Sequence, residues 1–320
     1  MIRSAALPAL FATALLGSTA LAQPVMRLPA SEYGKTTLRL TESLGGAAAD
    51  VSLRQNVFEP IADLREDDEV YQAARAVGRL DLLIEDADGR FTSTCTGTLI
   101  NGGTAVLTNY HCVPSFSGEI IEASLLLDYL SADSETTRVQ LSVTPSESDP
   151  DLDFSIVPVA GEVPDDIPNL TFRHDNLEPR ERLLIIHHPA GQPKMMTQFQ
   201  CATARSISES TNLRHSCDTQ PGSSGSPIFN FEREIVGIHH SGGLNPNDDG
   251  SFNAGTKVID IPALAAFMSA PETEEPAAPA TVAAETPETP AISDIVQDVI
   301  NDEIAPSDPA NTVNDLISGN

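Results

Sequence analysis

The stretch Cys95-Thr-Gly-Thr-Leu-Ile-Asn-Gly-Gly-Thr-Ala-Val-Leu107 decides the fold class of this 320-residue chain. Residues 95–100 and 104–107 have strand composition, and Asn101-Gly-Gly between them is a tight-turn signal. Outward from this hairpin, β-type pattern begins at Ala76-Val-Gly-Arg-Leu-Asp-Leu-Leu-Ile84 and recurs in short segments as far as about Val258. These include 123–127, 138–143, 154–159, 182–187 and 234–240, separated by turns. Many short strands with little helical period imply an all-β barrel or sandwich. Residues 259–269 are the exception. Ile261, Leu264, Ala265 and Met268, spaced three to four apart, predict one amphipathic helix closing the domain.

The ends differ from this middle. Residues 1–22 read as a secretory signal: Arg3, an apolar run from Ala5 to Leu16, then the small-residue site Ala20-Leu21-Ala22. The run is too short for a membrane span, so the mature chain is expected to be exported, secreted or periplasmic, without a membrane anchor. Residues 23–65 show no sustained period and read as a propeptide or N-terminal extension, leaving 66–270 as the folded domain. Residues 271–290 are a Pro/Ala/Glu/Thr linker of the kind that stays extended. In the acidic tail at 291–320, Ile292, Ile295, Val296, Val299, Ile300 and Ile304 fall on one helical face. That face suits either docking to a partner or a weakly helical, removable tail.

Four cysteines in an exported chain favour two disulfides. The 95–107 hairpin returns the chain so that Cys95 approaches Cys112, which leaves Cys201 to pair with Cys217. A zinc site is the rival use, but no CxxC or His-x(3–5)-His spacing is present. With 46 acidic and 18 basic residues, the net charge of −28 argues against nucleic acid and anionic membrane as partners and serves solubility.

Three further segments carry chemistry: Leu107-Thr-Asn-Tyr-His-Cys112, Asp153-Phe-Ser-Ile-Val157 and Asp218-Thr-Gln-Pro-Gly-Ser-Ser-Gly-Ser-Pro227. A serine hydroxyl becomes a nucleophile only with a base in reach, an acid to orient the base and donors for the oxyanion. Histidine, aspartate and serine in that chain order follow the chymotrypsin-like arrangement. The segments resemble the trypsin-like serine peptidases over residues 71–270, and within them the bacterial glutamyl endopeptidase group. The resemblance implies two six-stranded Greek-key barrels with a C-terminal helix, and a polypeptide substrate. No metal or cofactor is called for.

On this resemblance His111 is the general base, Asp153 its orienter and Ser224 the nucleophile. Asp149 and Asp151 compete with Asp153, but only Asp153 has the aromatic-small-aliphatic sequence after it. Gly222-Ser-Ser-Gly-Ser-Pro227 aligns Ser224, not Ser223 or Ser226, with the family's serine. The backbone N–H groups of Gly222 and Ser224 are then the oxyanion donors. A lipase-type Gly-x-Ser-x-Gly elbow fails, because Ser226 stands at its last position. Two departures from the family matter. Asn109-Tyr110 replaces the usual small residues before the histidine, and Ser223 replaces the aspartate that pairs with the freed N-terminus in chymotrypsin-like zymogens.

For substrate selection, the glutamyl group uses a histidine in Gly-Ile-His and a threonine five residues before the nucleophile. The matching residues are His239 and Thr219, which imply preference for Glu at P1. Strand alternation puts His239 and His240 on opposite faces. The alternative for His239 is a structural strand residue, and His187 and His188 read as strand-end residues with no catalytic role. From another class, the rival function is a catalytically silent trypsin-like fold that binds peptides or a partner.

Overall fold

The computed structural model describes residues 26–39, 57–113, 118–207, 209–244 and 250–267. The expected signal peptide, linker and tail helix lie outside the described residues. Two short strands, β1 (Met26–Pro29) and β2 (Glu59–Pro60), precede helix α1 (Glu69–Ala74), whose first turn is capped by the Asp68 carboxylate accepting from Val70 N–H at 2.7 Å. The chain then forms β3 (Val77–Asp86), β4 (Gly89–Ile100), β5 (Ala105–Thr108), β6 (Glu119–Leu127), β7 (Thr137–Gln140), β8 (Glu147–Asp149) and β9 (Phe154–Pro158). The second half contributes β10 (Leu184–His187), β11 (Met195–Thr197), β12 (Asn212–His215), β13 (Pro227–Phe229), β14 (Ile235–Ser241) and β15 (Asn253–Lys257).

These strands build two antiparallel sheets. The first runs β7-β6-β3-β4-β5-β9-β8 with β1 added beside β4, and the second runs β12-β15-β14-β13-β10-β11-β2. A bridge between Leu141 and Val159 curls the first sheet toward closure. Bridges joining Arg182 to Ala202 and Thr203 to His215 do the same for the second. The two-sheet, nearly all-β architecture is the one the sequence implied. Each sheet exceeds six strands because short pieces join its edges, β1 and β8 on the first and β2 on the second.

Strand β4 shows how sequence becomes architecture. Its odd-numbered Phe91, Cys95 and Leu99 enter the apolar core of the first sheet with Leu80, Leu82, Val106 and Leu125. Its even-numbered Thr92, Thr94, Thr96 and Thr98 are equally buried but line the opposite face. That face is a polar seam. Thr92 Oγ1 donates to the Ala30 carbonyl at 3.3 Å, and Thr96 meets the second half of the chain as described below. A separate apolar cluster joins residues of both sheets, among them Leu107, Phe154 and Ile156 with Ile186, Phe229 and Ile238.

Residues 26–39 are tied to this body. The fully buried Arg79 guanidinium forms a two-pronged pair with Asp81, at 2.8 and 2.9 Å. Its remaining N–H groups donate to the carbonyls of Lys35 and Thr36, both at 2.6 Å, and of Gly191 at 3.0 Å. Arg79 and Asp81 share one face of β3 because they are two apart. Past β15, in the segment expected to carry the closing helix, the chain makes two 3-10 turns at Val258–Asp260 and Pro262–Phe267. Ile261 and Leu264 are buried at the spacing of three that a 3-10 helix favours. The expected end of that helix, at 268–269, lies outside the described residues.

Candidate active site

His111 lies in the turn after β5, and Asp153 immediately precedes β9. Antiparallel pairing of Thr108 with Ser155 and of Leu107 with Ile156 carries residue 153 back to the histidine turn. The carboxylate receives His111 twice: Oδ2 is 2.7 Å from the ring Nδ1, and Oδ1 accepts the His111 backbone N–H at 3.0 Å. Asp153 adopts a left-handed backbone, φ +49°, which aspartate tolerates better than most residues. Asn109 Nδ2 donates to the Asp153 carbonyl at 2.8 Å and holds it in that conformation. Asn109, a departure from the family pattern, thus has a local task. The competing Asp149 caps its own turn, accepting from the N–H groups of Asp151 and Leu152 at 2.8 and 3.0 Å.

Ser224 sits in the loop between β12 and β13, and Thr96 is the hub that docks this loop on the first sheet. Thr96 N–H donates to the Ser224 carbonyl at 2.8 Å and its hydroxyl to the Gly222 carbonyl at 2.9 Å. The same hydroxyl oxygen accepts from His188 N–H at 3.1 Å, and the Thr96 carbonyl accepts from Thr108 Oγ1 at 2.9 Å. Thr108 is three residues before His111, so the chain of bonds runs from the histidine turn to the serine loop. From the other side, Gly225 N–H donates to the His239 carbonyl and His239 N–H to the Ser226 carbonyl, both at 2.9 Å.

The three serines differ in what occupies their hydroxyls. Ser226 Oγ donates to the Ser223 carbonyl, and Ser223 Oγ is engaged by His187 and Gln220. Among the described residues nothing hydrogen-bonds Ser224 Oγ, including His111, and nothing accepts from the N–H groups of Gly222 or Ser224. Sequence reasoning gave Thr96 and Thr108 no role and read His187 only as a strand-end residue.

Gly225 is where side-chain absence is required. Its φ is +84°, and an added Cβ would overlap the Thr96 carbonyl oxygen and the Thr108 hydroxyl. Gly225→Ala is therefore expected to cost about 2–4 kcal/mol, combining left-handed strain with overpacking. Urea midpoints at unchanged m-value read this out; a loss below about 0.5 kcal/mol would contradict the packing described.

The two residues expected to select substrate are both near the serine loop, with different surroundings. Thr219 is half-buried, and its hydroxyl accepts from Asn253 Nδ2 at 3.0 Å. His239 is fully buried in β14, its Nδ1 3.1 Å from His215 Nε2 of β12, with the rings edge to face. Its Nε2 has no partner among the described residues. Burial lowers the His239 pKa well below the usual histidine range and takes His215 down to about 3, so both rings are neutral near pH 7. One ring nitrogen of each then carries a proton. His240 does not follow simple alternation, because β14 bulges between His239 and Ser241. Burial lowers its pKa, and the Asp153 charge opposes that shift.

Disulfides join Cys95 to Cys112 and Cys201 to Cys217, with Cα atoms 6.2 and 4.0 Å apart. The first links β4 to the residue after His111. Donor atoms of Cys95, Cys112 and His111 lie within 4.8 Å of one another, a spacing a metal could use only if the sulfurs were not bonded to each other. The second loops the segment before Ser224 back toward β11.

Comparison with known proteins gives this geometry a context. The family model described as a trypsin-like peptidase domain matches residues 95–238. The fold is trypsin-like. The matched span opens at Cys95, takes in His111, Asp153 and Ser224, and stops one residue short of His239. A curated relative, secreted RxLR effector protein 73 of Plasmopara viticola, is 28% identical over 195 residues, which is 55% of this chain and 47% of that protein. The chain thus spans about half the length of that relative. Among solved structures, the Rv3671c protease of M. tuberculosis in its active form aligns with a TM-score of 0.48 at 17% identity. The alignment covers 67% of this chain and 89% of that one.

Proposed function

We propose that this protein is an exported serine endopeptidase that works through His111, Asp153 and Ser224. The observation that carries the reading is the doubly bonded His111–Asp153 pair, tied through Thr108 and Thr96 to the loop of a serine whose hydroxyl has no partner among the described residues. His111 takes the Ser224 proton as the hydroxyl attacks the scissile carbonyl, and returns it to the leaving amine. Asp153 orients the ring and stabilises the imidazolium that forms. The N–H groups of Gly222 and Ser224 receive the oxyanion, and water then releases the acyl group from Ser224. The trypsin-like peptidase match and the two disulfides support a polypeptide substrate and export.

For the P1 residue we propose Glu ahead of Asp, received by His239 and Thr219. If His215 Nε2–H donates to His239 Nδ1, the proton of the neutral His239 ring sits on Nε2, the nitrogen without a partner. A buried donor of that kind is costly alone and favours an acceptor such as a carboxylate. His215 is a residue sequence reasoning missed; only an unassigned histidine in an alternating segment marked it. Cleavage-site sequencing of a P1-varied peptide library is the test. Glu at P1 is expected to dominate, and His239→Ala to lower kcat/KM for Glu peptides about 10–100-fold, the size of a lost hydrogen bond to a charged group. Preference for Arg, Phe or Ala would end the glutamyl reading and leave the peptidase reading intact.

A second reading, a silent fold that binds peptides or a partner, draws on the missing Ser224–His111 hydrogen bond. Catalytic hydrogen bonds are often long before substrate arrives, so this observation does not decide between the two. Labelling by a fluorophosphonate does: it modifies Ser224 in the enzyme and leaves a silent protein untouched.

A further inference from the structure

The serine before the candidate nucleophile anchors a buried chain of hydrogen bonds in which each hydroxyl has a single consistent orientation. Ser223 Oγ accepts from Gln220 N–H at 3.1 Å and lies 2.8 Å from His187 Nδ1. On the other side of the ring, Nε2 is 3.3 Å from Thr197 Oγ1, whose own proton goes to the Asp218 carbonyl at 3.1 Å. Thr197 can therefore only accept from the ring, so the proton of a neutral His187 is on Nε2 and Nδ1 accepts from the Ser223 hydroxyl. Ser223, His187 and Thr197 are all fully enclosed, and the edge of the Phe58 ring closes over the imidazole at 5.0 Å. Burial keeps His187 neutral, as both of its roles require.

The two ends of this chain are the two ends of one turn. Asp218 and Gln220–Ser223 are held to His187 of β10 and Thr197 of β11, and between them lie Pro221 and Gly222. The intervening peptide planes are held as well, with Ala190 N–H donating to the Pro221 carbonyl at 2.6 Å and Thr96 Oγ1 to the Gly222 carbonyl. Gly222, at φ +96°, has no room for a side chain, since a Cβ would come within 2.8 Å of the His188 carbonyl oxygen. A turn restrained at both ends and at its middle carbonyls has one direction left for the Gly222 N–H.

We propose that His187 is a positioning residue that sets the oxyanion turn through the Ser223 hydroxyl. The turn is thereby formed by neutral, internal hydrogen bonds, and no free N-terminal amine is needed to complete it. This rests on the peptidase reading for its effect on rate, but not for its effect on the turn.

The test uses the full chain with both disulfides and compares His187→Leu, Ser223→Ala and His187→Asn. Asparagine can place its Oδ1 where Nδ1 stands, so it keeps the bond to Ser223. Steady-state hydrolysis of a peptide substrate and hydrogen exchange of the 218–226 segment are read together. The leucine and alanine variants are expected to lose about 10–100-fold in kcat with KM within about twofold, below the full loss of an oxyanion donor. Exchange at Gln220 and Ser223 should quicken about tenfold or more, and the asparagine variant should stay within about threefold of wild type in both measurements. Wild-type kcat and protection in His187→Leu, or an asparagine variant as impaired as leucine, would overturn the proposal. So would a rise in KM at constant kcat. A wild-type chain that neither hydrolyses peptides nor reacts with a fluorophosphonate would remove the peptidase reading, and the exchange data would still decide the role of His187.

Discussion

Ser224→Ala is expected to lower kcat by on the order of 10⁵–10⁶, with KM for a peptide substrate and thermal stability nearly unchanged. The lost atom is a hydroxyl with no hydrogen-bond partner among the described residues, so its removal leaves no buried group stranded. His111→Ala should cost as much in kcat, because a serine without a base is a poor nucleophile and the two act as a unit. Asp153→Asn should cost about 10⁴, since an amide can no longer select the imidazole tautomer with Nδ1–H. The neighbouring serines give a sharp control. Ser226→Ala removes a donor to the Ser223 carbonyl and should weaken the turn without abolishing labelling by a fluorophosphonate. Survival of activity in Ser224→Ala with its loss in Ser226→Ala would mean that the nucleophile is misassigned.

Fold class was legible in the chain because the central strands are long, apolar or β-branched, and bounded by glycine turns. The segments at 76–84, 104–107 and 154–159 became β3, β5 and β9 within two residues at each end, while 95–100 is only the second half of β4. Strands whose character is conferred by neighbours were not legible. β15, Asn253-Ala-Gly-Thr-Lys257, is buried throughout yet has no apolar pattern; it is polar because Asn253 ties Cys217, Thr219, Gly243 and Leu244 together. β1 is four residues long and is a strand only because β4 offers it an edge.

The candidate site divides the same way. His111, Asp153 and Ser224 stand in short local motifs whose chemistry can be read residue by residue. Thr96, His187 and His215 act through contacts that only the strand register creates. Thr96 looks like any threonine in a strand until β4 turns its even-numbered face toward the serine loop. His187 is on β10 and Ser223 in the loop before β13, thirty-six residues apart in the chain. His240 shows the limit of alternation as a rule, because one bulged residue resets which way the side chains face.

Those buried histidines should make the protein sensitive to mild acid. The folded state holds His187 and His215 at a pKa of about 3, and His188 and His239 well below the usual range, each mainly through burial. In the unfolded chain the same rings protonate near pH 6.5. Below that pH the unfolded state binds more protons than the folded one, so stability is fully present above about pH 6.5 and falls as pH drops toward 3. Between pH 7.5 and 5.5 each such ring costs about 1.4 kcal/mol, so His187 and His215 alone remove about 3 kcal/mol, with His188 and His239 acting in the same direction. Glu32, Asp86 and Asp166, each held low mainly by its bond to a basic side chain, lose their contributions only at more acid pH. Urea unfolding followed by circular dichroism at the two pH values, at constant salt, measures the difference directly. His215→Gln and His187→Asn should each remove about 1.4 kcal/mol of it, because a group that cannot titrate cannot contribute to the slope. A total change below about 1 kcal/mol would mean that these rings are not held neutral, and the hydrogen-bond chain through His187 would lose its basis with them.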